Sequence, residues 1–297
     1  MRKSREPIVA ATRTAEEALA NSIDDSNFAT TLAKGLAVLE SFGPNDVALG
    51  NSDLAARTGL ARPTVARLTY TLAELGYLRY DNPRSKYRLG VRSLRMAHPL
   101  LASLTFRQFA RPMMQELATD VGGTVSIGVL YGAEVVYVET ARSGDVGAHT
   151  PDIGMAIPIL FAAVGRALAA MLTPDEASAI DARLQAEYAD KWMIYGERYL
   201  AGREACVRNG VNVSYGDWIE ATHAAGVPLF RARESDDCFA LNCGVPAFRL
   251  RPGQMEAEIA PRLKALAANI RSIAGESEPR LFAPNVVRVS PGVKSRK

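Results

Sequence analysis

The sequence contains few of the residues that most often carry chemistry. Its 297 residues include three cysteines, three histidines and two tryptophans. The cysteines, Cys206, Cys238 and Cys243, are odd in number, and no charged-then-apolar leader precedes them. We therefore expect no disulfide framework and a reducing, cytoplasmic location. Cys238 and Cys243 form a C-x4-C pattern without a second pair, which is weak evidence for metal and more typical of buried thiols.

Catalytic motifs are also absent from the sequence. His98, His149 and His223 are far apart, and none has the paired-ligand spacing of a motif such as HExxH. There is no G-x-S-x-G elbow and no P-loop, and the glycines between residues 122 and 128 have the wrong spacing for a dinucleotide fingerprint. We therefore predict no catalytic residues, no metal and no cofactor.

Long hydrophobic runs are missing too. The most apolar stretch, Met155 to Gly165, is too short to span a bilayer and is followed by Arg166. We expect no membrane segment. A chain of this length with 48% hydrophobic residues can bury a substantial core, and the length favours two domains.

The net charge of +3 is too small to identify a nucleic-acid binder, so the distribution of charge must decide. Between Gly76 and Arg95, Asp81 is the only acidic residue. The basic residues of this segment are Arg79, Arg84, Lys86, Arg88, Arg92 and Arg95. This local excess predicts a basic surface.

The segment before that cluster has the pattern of a helix-turn-helix. Leu32, Leu36 and Leu39 recur at helical spacing and predict a first helix. The stretch "DLAART" predicts a short second helix that Gly59 ends, and a third helix begins at Ala61 to Pro63 with a proline in its first turn. "GYLRY" and "KYRLG", joined by "DNPRS", predict a hairpin. Together they predict a winged helix-turn-helix domain over residues 28–91.

The third helix has an apolar and a polar face. Val65, Leu68, Leu72 and Leu75 form the predicted core stripe. A second helix with a polar outer face is the layout that enters the DNA major groove, and the hairpin tip can touch phosphate or the minor groove. The alternatives are a helix whose arginines are merely solvated and a hairpin whose charges discourage strand pairing. The candidate DNA-binding residues are Ala61, Arg62, Pro63, Thr64, Arg67, Tyr70, Arg84, Ser85 and Lys86; which of them contact bases stays open.

The rest of the chain predicts a second domain. Residues 92–104 read as a linker helix, and residues 105–275 alternate hairpin-like strand pairs with helices. This order indicates an antiparallel α+β domain rather than a doubly wound parallel sheet. Residues 1–27 and 276–297 are polar and predict a disordered arm and tail.

From about Phe28 to Gly275 the chain resembles the IclR family of bacterial transcriptional regulators. The pattern "LAxRTGLxxxTxxRLxxTLxxxGYL" matches from Leu54 to Leu78, and "YRLG" follows. Further matching segments are "EVVYVE", "IPILFAAVGRALAAML", "GVPLF" and "NCGVPAFRL". The resemblance implies a winged helix-turn-helix joined by a linker helix to a GAF-like effector-binding domain.

The resemblance also implies where an effector binds. Many relatives carry His where Leu160 stands and a polar or Cys side chain at Ala224. A more apolar pocket is therefore implied, which suits an aromatic or largely apolar effector better than a short dicarboxylate. Asp217 is the expected hydrogen-bond acceptor for a ligand hydroxyl. The residues implied are Leu160, Phe161, Ala162, Asp217, Ala224 and Ala225; ordinary core packing is the alternative for all of them.

These observations predict a transcriptional regulator whose binding to a double-stranded DNA operator is modulated by a small organic effector. Because a symmetric operator requires two reading heads, we expect a homodimer or homotetramer, with the helix from Val91 to Leu104 helping to pair the heads. The alternative is a small-molecule enzyme or an oligomerisation module whose N-terminal domain does not bind DNA. Salt-dependent, sequence-selective duplex binding distinguishes the two.

Overall fold

The computed structural model describes residues 27–144 and 151–282, and the chain divides between Thr105 and Phe106 into two compact units. The predicted arm lies outside the described residues except for Asn27, and so does His149. Within these ranges no helix is long and apolar enough to cross a membrane.

The described residues of the N-terminal unit contain four α-helices and a two-stranded hairpin. Its small core is formed by Val38, Leu49, Leu54, Val65 and Leu78. The helices are α1 Thr30–Glu40, α2 Asn51–Thr58, α3 Arg62–Glu74 and α4 Val91–Ser103, and the strands are β1 Leu78–Asp81 and β2 Lys86–Leu89. The antiparallel hairpin pairs Leu78 with Leu89 and Asp81 with Lys86, and the bridge between Leu49 and Tyr87 attaches it to the loop before α2. This unit has the predicted winged helix-turn-helix fold.

The predicted first helix is present as α1, but not all of its regularly spaced leucines face the core. Leu32 is 62% exposed and Leu36 is exposed as well, whereas Ala33, Ala37 and Val38 are buried. The small alanines allow α1 to approach α3 closely, so the helix turns its alanine side inward and leaves two leucines outside. In α3, Leu75 is likewise exposed, and Thr69 takes a buried position.

The C-terminal unit is an α+β domain built on one antiparallel sheet with the strand order β5-β4-β3-β8-β7-β6. The predicted fold class is confirmed. Its strands are β3 Thr124–Tyr131, β4 Glu134–Arg142, β5 Ala156–Pro158, β6 Asn212–Tyr215, β7 Thr222–Arg231 and β8 Cys238–Pro246. Its helices are α5 Phe106–Val121, α6 Ala163–Ala169, α7 Pro174–Glu187, α8 Ala189–Asn209 and α9 Ala260–Ala274, and a π-helical turn, Met255–Ile259, precedes α9.

The segment after α9 packs on the C-terminal unit. Phe282 donates its backbone N–H to the Ala170 carbonyl at 2.9 Å, Arg233 donates to the Ser277 hydroxyl at 2.8 Å, and Leu281 packs against the larger hydrophobic core. Residues 276–282 are therefore not the disordered tail that their composition predicts, because Leu281 and Phe282 supply apolar contacts within a polar stretch. Residues 283–297 of that prediction lie outside the described part of the chain.

The start of α6 is held against the sheet by a close backbone approach. Gly226 on β7 leaves so little room that a Cβ there would lie 2.2 Å from the Ala163 carbonyl oxygen. The buried Asn212 amide donates to Ala163 O at 2.9 Å and to Gly226 O at 3.3 Å. These contacts fix the first turn of α6 over the strands that carry the candidate ligand residues.

Gly226→Ala should test this contact. The added methyl cannot be accommodated without separating α6 from β7, so we expect a loss of about 1–3 kcal/mol in the free energy of unfolding. Denaturant unfolding measures it. Gly144→Ala is the matched control, because its Cβ meets nothing within 4 Å among the described residues; equal stability of the two variants would contradict the contact.

Candidate nucleic-acid interface and ligand cavity

Helices α2 and α3 form a helix-turn-helix with a short, fixed turn. Gly59, at φ +65°, ends α2, and α3 begins at Arg62 with Pro63 in its first turn. The positive φ suits glycine because it has no Cβ to clash. The buried Thr69 hydroxyl lies 3.1 Å from Asn51 Oδ1, which ties the middle of α3 to the start of α2. The second helix is therefore held rigidly against the first.

The outer face of α3 presents the residues predicted from the sequence. Arg62, Pro63, Arg67 and Tyr70 are exposed, Thr64 is half-buried, and Ala61 is the exposed residue that precedes the helix. Pro63, Arg67 and Tyr70 lie on one side because they are three or four residues apart. Within the described residues, the guanidinium groups of Arg62 and Arg67 form no hydrogen bond or ion pair. Both are free to contact another molecule.

The hairpin tip is less free than the sequence predicts. Ser85 is exposed with φ +49°, but Arg84 lies 3.5 Å from the Asp81 carboxylate. Lys86 lies 3.5 Å from Asp53, the residue whose carboxylate accepts the Gly50 N–H at the start of α2. The Gly50 N–H and the charge of Lys86 hold the pKa of Asp53 below its usual range. Lys86 thus joins the hairpin to α2 while remaining partly exposed.

The C-terminal unit contains a small, partly open cavity at the start of α6, with a volume of about 30 Å³. That room suits about one water, so a larger guest requires the walls to move. The lining residues are Tyr137, Phe161, Ala162, Ala163, Ser214, Trp218, Ile219, Thr222, Ala224 and Asn242.

Only some of the residues predicted to bind the effector line the cavity. Phe161, Ala162 and Ala224 line it. Leu160 and Ala225 are completely buried and lie outside the lining. The Phe161 ring contacts the Tyr195 ring edge-on at a centroid distance of 5.2 Å and the Tyr188 ring at 6.2 Å, so α8 supports this wall of the cavity.

Asp217 lies in a different environment from the one predicted. Its carboxylate accepts hydrogen bonds from Arg166 at 2.5 Å, from Arg198 at 2.8 Å and from the Ser214 hydroxyl at 2.9 Å. Burial raises its pKa, but the Arg166 hydrogen bond and charge outweigh burial and hold the pKa of Asp217 below its usual range. Asp217 lines a groove between α8 and β6, outside the cavity, and both of its oxygens already have partners.

Tyr137, Trp218 and Asn242 are among the cavity residues that the sequence prediction missed. Asn242 Oδ1 is buried without a hydrogen-bond partner. Burial raises the pKa of the Tyr137 phenol, so this hydroxyl stays uncharged. The signal for Asn242 was available, since it is the one carboxamide in the otherwise apolar run "CFALNCGV" of β8.

The remaining candidates for metal or thiol chemistry do not assemble. In residues 27–144 and 151–282, no three His, Cys, Asp or Glu side chains lie close enough together to hold a metal ion. Cys206, Cys238 and Cys243 are buried and unpaired, and burial raises the pKa of each thiol to about 12. Thiolate chemistry at neutral pH is therefore disfavoured at these positions.

Two protein families match the chain: the IclR helix-turn-helix domain over residues 31–82 and the bacterial transcriptional regulator IclR C-terminal domain over residues 98–272. The chain is 27% identical over 260 residues to the HTH-type transcriptional regulator TsaQ1/TsaQ2 of Comamonas testosteroni, covering 86% of this chain and 92% of that protein. It is 27% identical over 268 residues to the p-hydroxybenzoate hydroxylase transcriptional activator of Acinetobacter baylyi, covering 84% and 94%. The crystal structure of an IclR family transcriptional regulator from Brucella abortus is 31% identical, with a TM-score of 0.79 over 91% of this chain and 99% of that one.

The ion pair of Asp217 yields a prediction about stability. Asp217→Asn leaves the buried Arg166 without its counter-charge, so we expect a loss of about 3 kcal/mol in the free energy of unfolding at neutral pH. Because folding lowers the pKa of Asp217, its stabilisation is present above the ordinary value of 3.8 and is lost as pH falls through the folded-state pKa. The difference between parent and variant should therefore shrink in acid.

The matched control is Asp120→Asn, which breaks the exposed pair with Arg262 and should cost less than about 1 kcal/mol. Denaturant unfolding of both variants over a series of pH values makes the comparison. A pH-independent difference for Asp217→Asn would show that the charge of the pair contributes nothing.

Proposed function

The chain belongs to the IclR family of DNA-binding transcriptional regulators, and on that premise we propose that α3 and the hairpin bind operator DNA while a small, largely apolar organic molecule in the cavity modulates that binding. The observation that carries the DNA-binding part is the pair of unengaged guanidinium groups on α3, Arg62 and Arg67. An arginine without an internal partner on a rigid helix can bind a guanine edge or a phosphate without first breaking a protein contact.

The hairpin contributes differently in this proposal. Arg84 and Lys86 already face Asp81 and Asp53, so their approach to phosphate exchanges one ionic contact for another. Ser85 at the tip adds a hydroxyl. Such contacts position the protein on the duplex and carry no sequence information. Sequence is therefore read mainly by α3.

The cavity supports the effector part of the proposal. Phe161, Trp218 and Tyr137 give it aromatic walls, which suit an aromatic or otherwise largely apolar molecule. The relative from Acinetobacter baylyi is named for the activation of p-hydroxybenzoate hydroxylase, and this agrees with an aromatic effector here.

A homodimer is part of the same proposal. None of the residues of α4 is buried, although Leu94 is 71% exposed and Leu100 is 62% exposed. The exposed Leu32 on α1 adds to the apolar surface of this unit. Apolar surface of this kind marks an interaction site, and a second copy of the chain would place two α3 helices on a symmetric operator.

Arg67→Ala tests the DNA-binding part. Removing a bidentate base contact should weaken operator binding by about 1–3 kcal/mol without changing the fold. Arg208→Ala, on an exposed position of the other unit, should leave operator affinity unchanged. Fluorescence anisotropy with operator and random duplexes provides the measurement.

Lys86→Ala separates positioning from sequence reading. This variant should weaken binding to both duplexes alike and reduce the slope of affinity against salt by about 1. An unchanged operator affinity for Arg67→Ala, or a sequence-selective loss for Lys86→Ala, would contradict the assigned roles.

A combined Leu94→Asp and Leu100→Asp change tests the dimer. Two charges on the exposed apolar face should shift the protein to monomers in light scattering and abolish tight operator binding. Neither residue is buried, so the unfolding temperature of the isolated chain should change little. Ile273→Asp, at another exposed apolar position, is the control; a double variant that remains a dimer would exclude α4 from the interface.

A further inference from the structure

The lining of the cavity carries no charge. Among the described residues that line it there is no Asp, Glu, Lys, Arg or His. Its polar side-chain groups are the hydroxyls of Tyr137, Ser214 and Thr222, the indole N–H of Trp218 and the carboxamide of Asn242. All five are neutral at physiological pH, since burial raises the pKa of Tyr137 further. A guest therefore meets dipoles and aromatic rings.

The charged side chains next to the cavity interact with one another in the neighbouring groove. Arg166 and Arg198 both donate to Asp217, and all three line the groove between α8 and β6. Arg166 has a 3% exposed side chain and is committed to this pair, whereas the Arg198 side chain is 61% exposed and solvated. Ser214 is the residue shared by groove and cavity, and its hydroxyl donates to Asp217. No cation is thus available to neutralise an anion in the cavity.

Asn242 is the buried polar side chain of the lining that lacks a partner. It lies on β8 in the middle of the sheet, opposite Ser126 on β3 and Gly226 on β7. Ser126 is already engaged by Thr140, whose hydroxyl lies 3.1 Å away. Asn242 is 6% exposed, its Oδ1 has no partner, and its amide makes no hydrogen bond to any described residue.

An unpaired buried carboxamide is costly and offers both a donor and an acceptor. The group that satisfies it also carries a donor and an acceptor, as a carboxamide or a hydroxyl does. A carboxylate can only accept, so it would leave Oδ1 unpaired and would lose its own hydration without gaining a counter-charge. The uncharged lining and the unpaired Asn242 therefore both favour an uncharged ligand over a carboxylate.

Building on the proposed function, we propose that the effector is an uncharged aromatic compound whose carboxamide or hydroxyl pairs with Asn242, and that aromatic carboxylates are rejected. The ring lies against Phe161 and Trp218. Because only about 30 Å³ is open to water-sized molecules, these two side chains move outward when the compound enters. Asn242 is then the residue that decides specificity by hydrogen bonding.

The test compares benzamide with benzoate, which share shape and differ in charge. Binding to the full chain is measured by calorimetry and by thermal unfolding at neutral pH, with 4-hydroxybenzamide and 4-hydroxybenzoate as a second pair. We expect the amide of each pair to bind at least ~10-fold more tightly than the acid. Equal or tighter binding of either acid, or no binding of either amide, overturns the proposal.

Asn242→Leu tests the residue itself. Replacing an unpaired buried carboxamide with an apolar side chain should raise the unfolding temperature of the free protein by about 2–4 °C and abolish the response to benzamide. Asn269→Leu, the same change at an exposed position on α9, should leave the response intact. If Asn242→Leu still binds the amides more tightly than the acids, the proposal is contradicted. If this variant does not fold, the comparison of amides with acids on the parent protein still tests the proposal.

Operator binding is measured on the same preparations to separate this inference from the proposed function. Sequence-selective DNA binding together with a preference for the acids overturns the inference alone. If the parent protein shows no sequence-selective DNA binding, the proposed function is overturned, whichever ligand binds.

Discussion

The buried ion pair between Arg166 and Asp217 is the interaction on which the C-terminal unit depends. Arg166 belongs to α6 and Asp217 to the loop after β6, and both side chains are almost fully buried. Burying two charges is costly, and it is tolerated only where geometry and further hydrogen bonds compensate; here Arg198 and Ser214 supply them. Because Trp218 follows Asp217 and Phe161 precedes α6, the same pair holds two walls of the cavity. An uncharged cavity beside a strongly charged cluster is the consequence.

The two functional surfaces use opposite arrangements of charge. On α3, Arg62 and Arg67 keep their guanidinium groups free, and the backbone beneath them is fixed by the turn at Gly59. Among the described residues of the C-terminal unit, the buried cations Arg166 and Arg203 are paired with Asp217 and Asp181. The proposed DNA-binding surface thus offers unpaired positive charge to a polyanion, and the proposed effector cavity offers unpaired dipoles to a neutral molecule.

Local sequence patterns were sufficient to predict most helices and strands. The composition of the cavity depends on contacts between residues far apart in the sequence, which those patterns do not show. The end of α2 at Gly59, the proline in the first turn of α3 and the hairpin turn that contains Ser85 follow from neighbouring residues, and the sequence predicts each of them. The helical spacing of its leucines predicts α1, but that spacing does not show that Ala33 and Ala37 are buried while Leu32 and Leu36 are exposed. The partners of Asp217 could not be predicted, because Arg166 is distant in sequence and only the packing of α6 brings the two together. Asn242 is visible in the sequence as the one carboxamide in the apolar run of β8, but only the structure shows that no described residue pairs with it.

Selection of fragments from the organism's own genomic DNA by the purified full-length chain tests the central claim most directly. The account predicts that a few fragments are enriched, that they share a two-fold symmetric sequence, and that this preference survives as rising salt weakens all binding. Recovery of fragments without a common sequence, with affinity that vanishes uniformly as salt rises, would show that α3 does not read bases and would contradict the account.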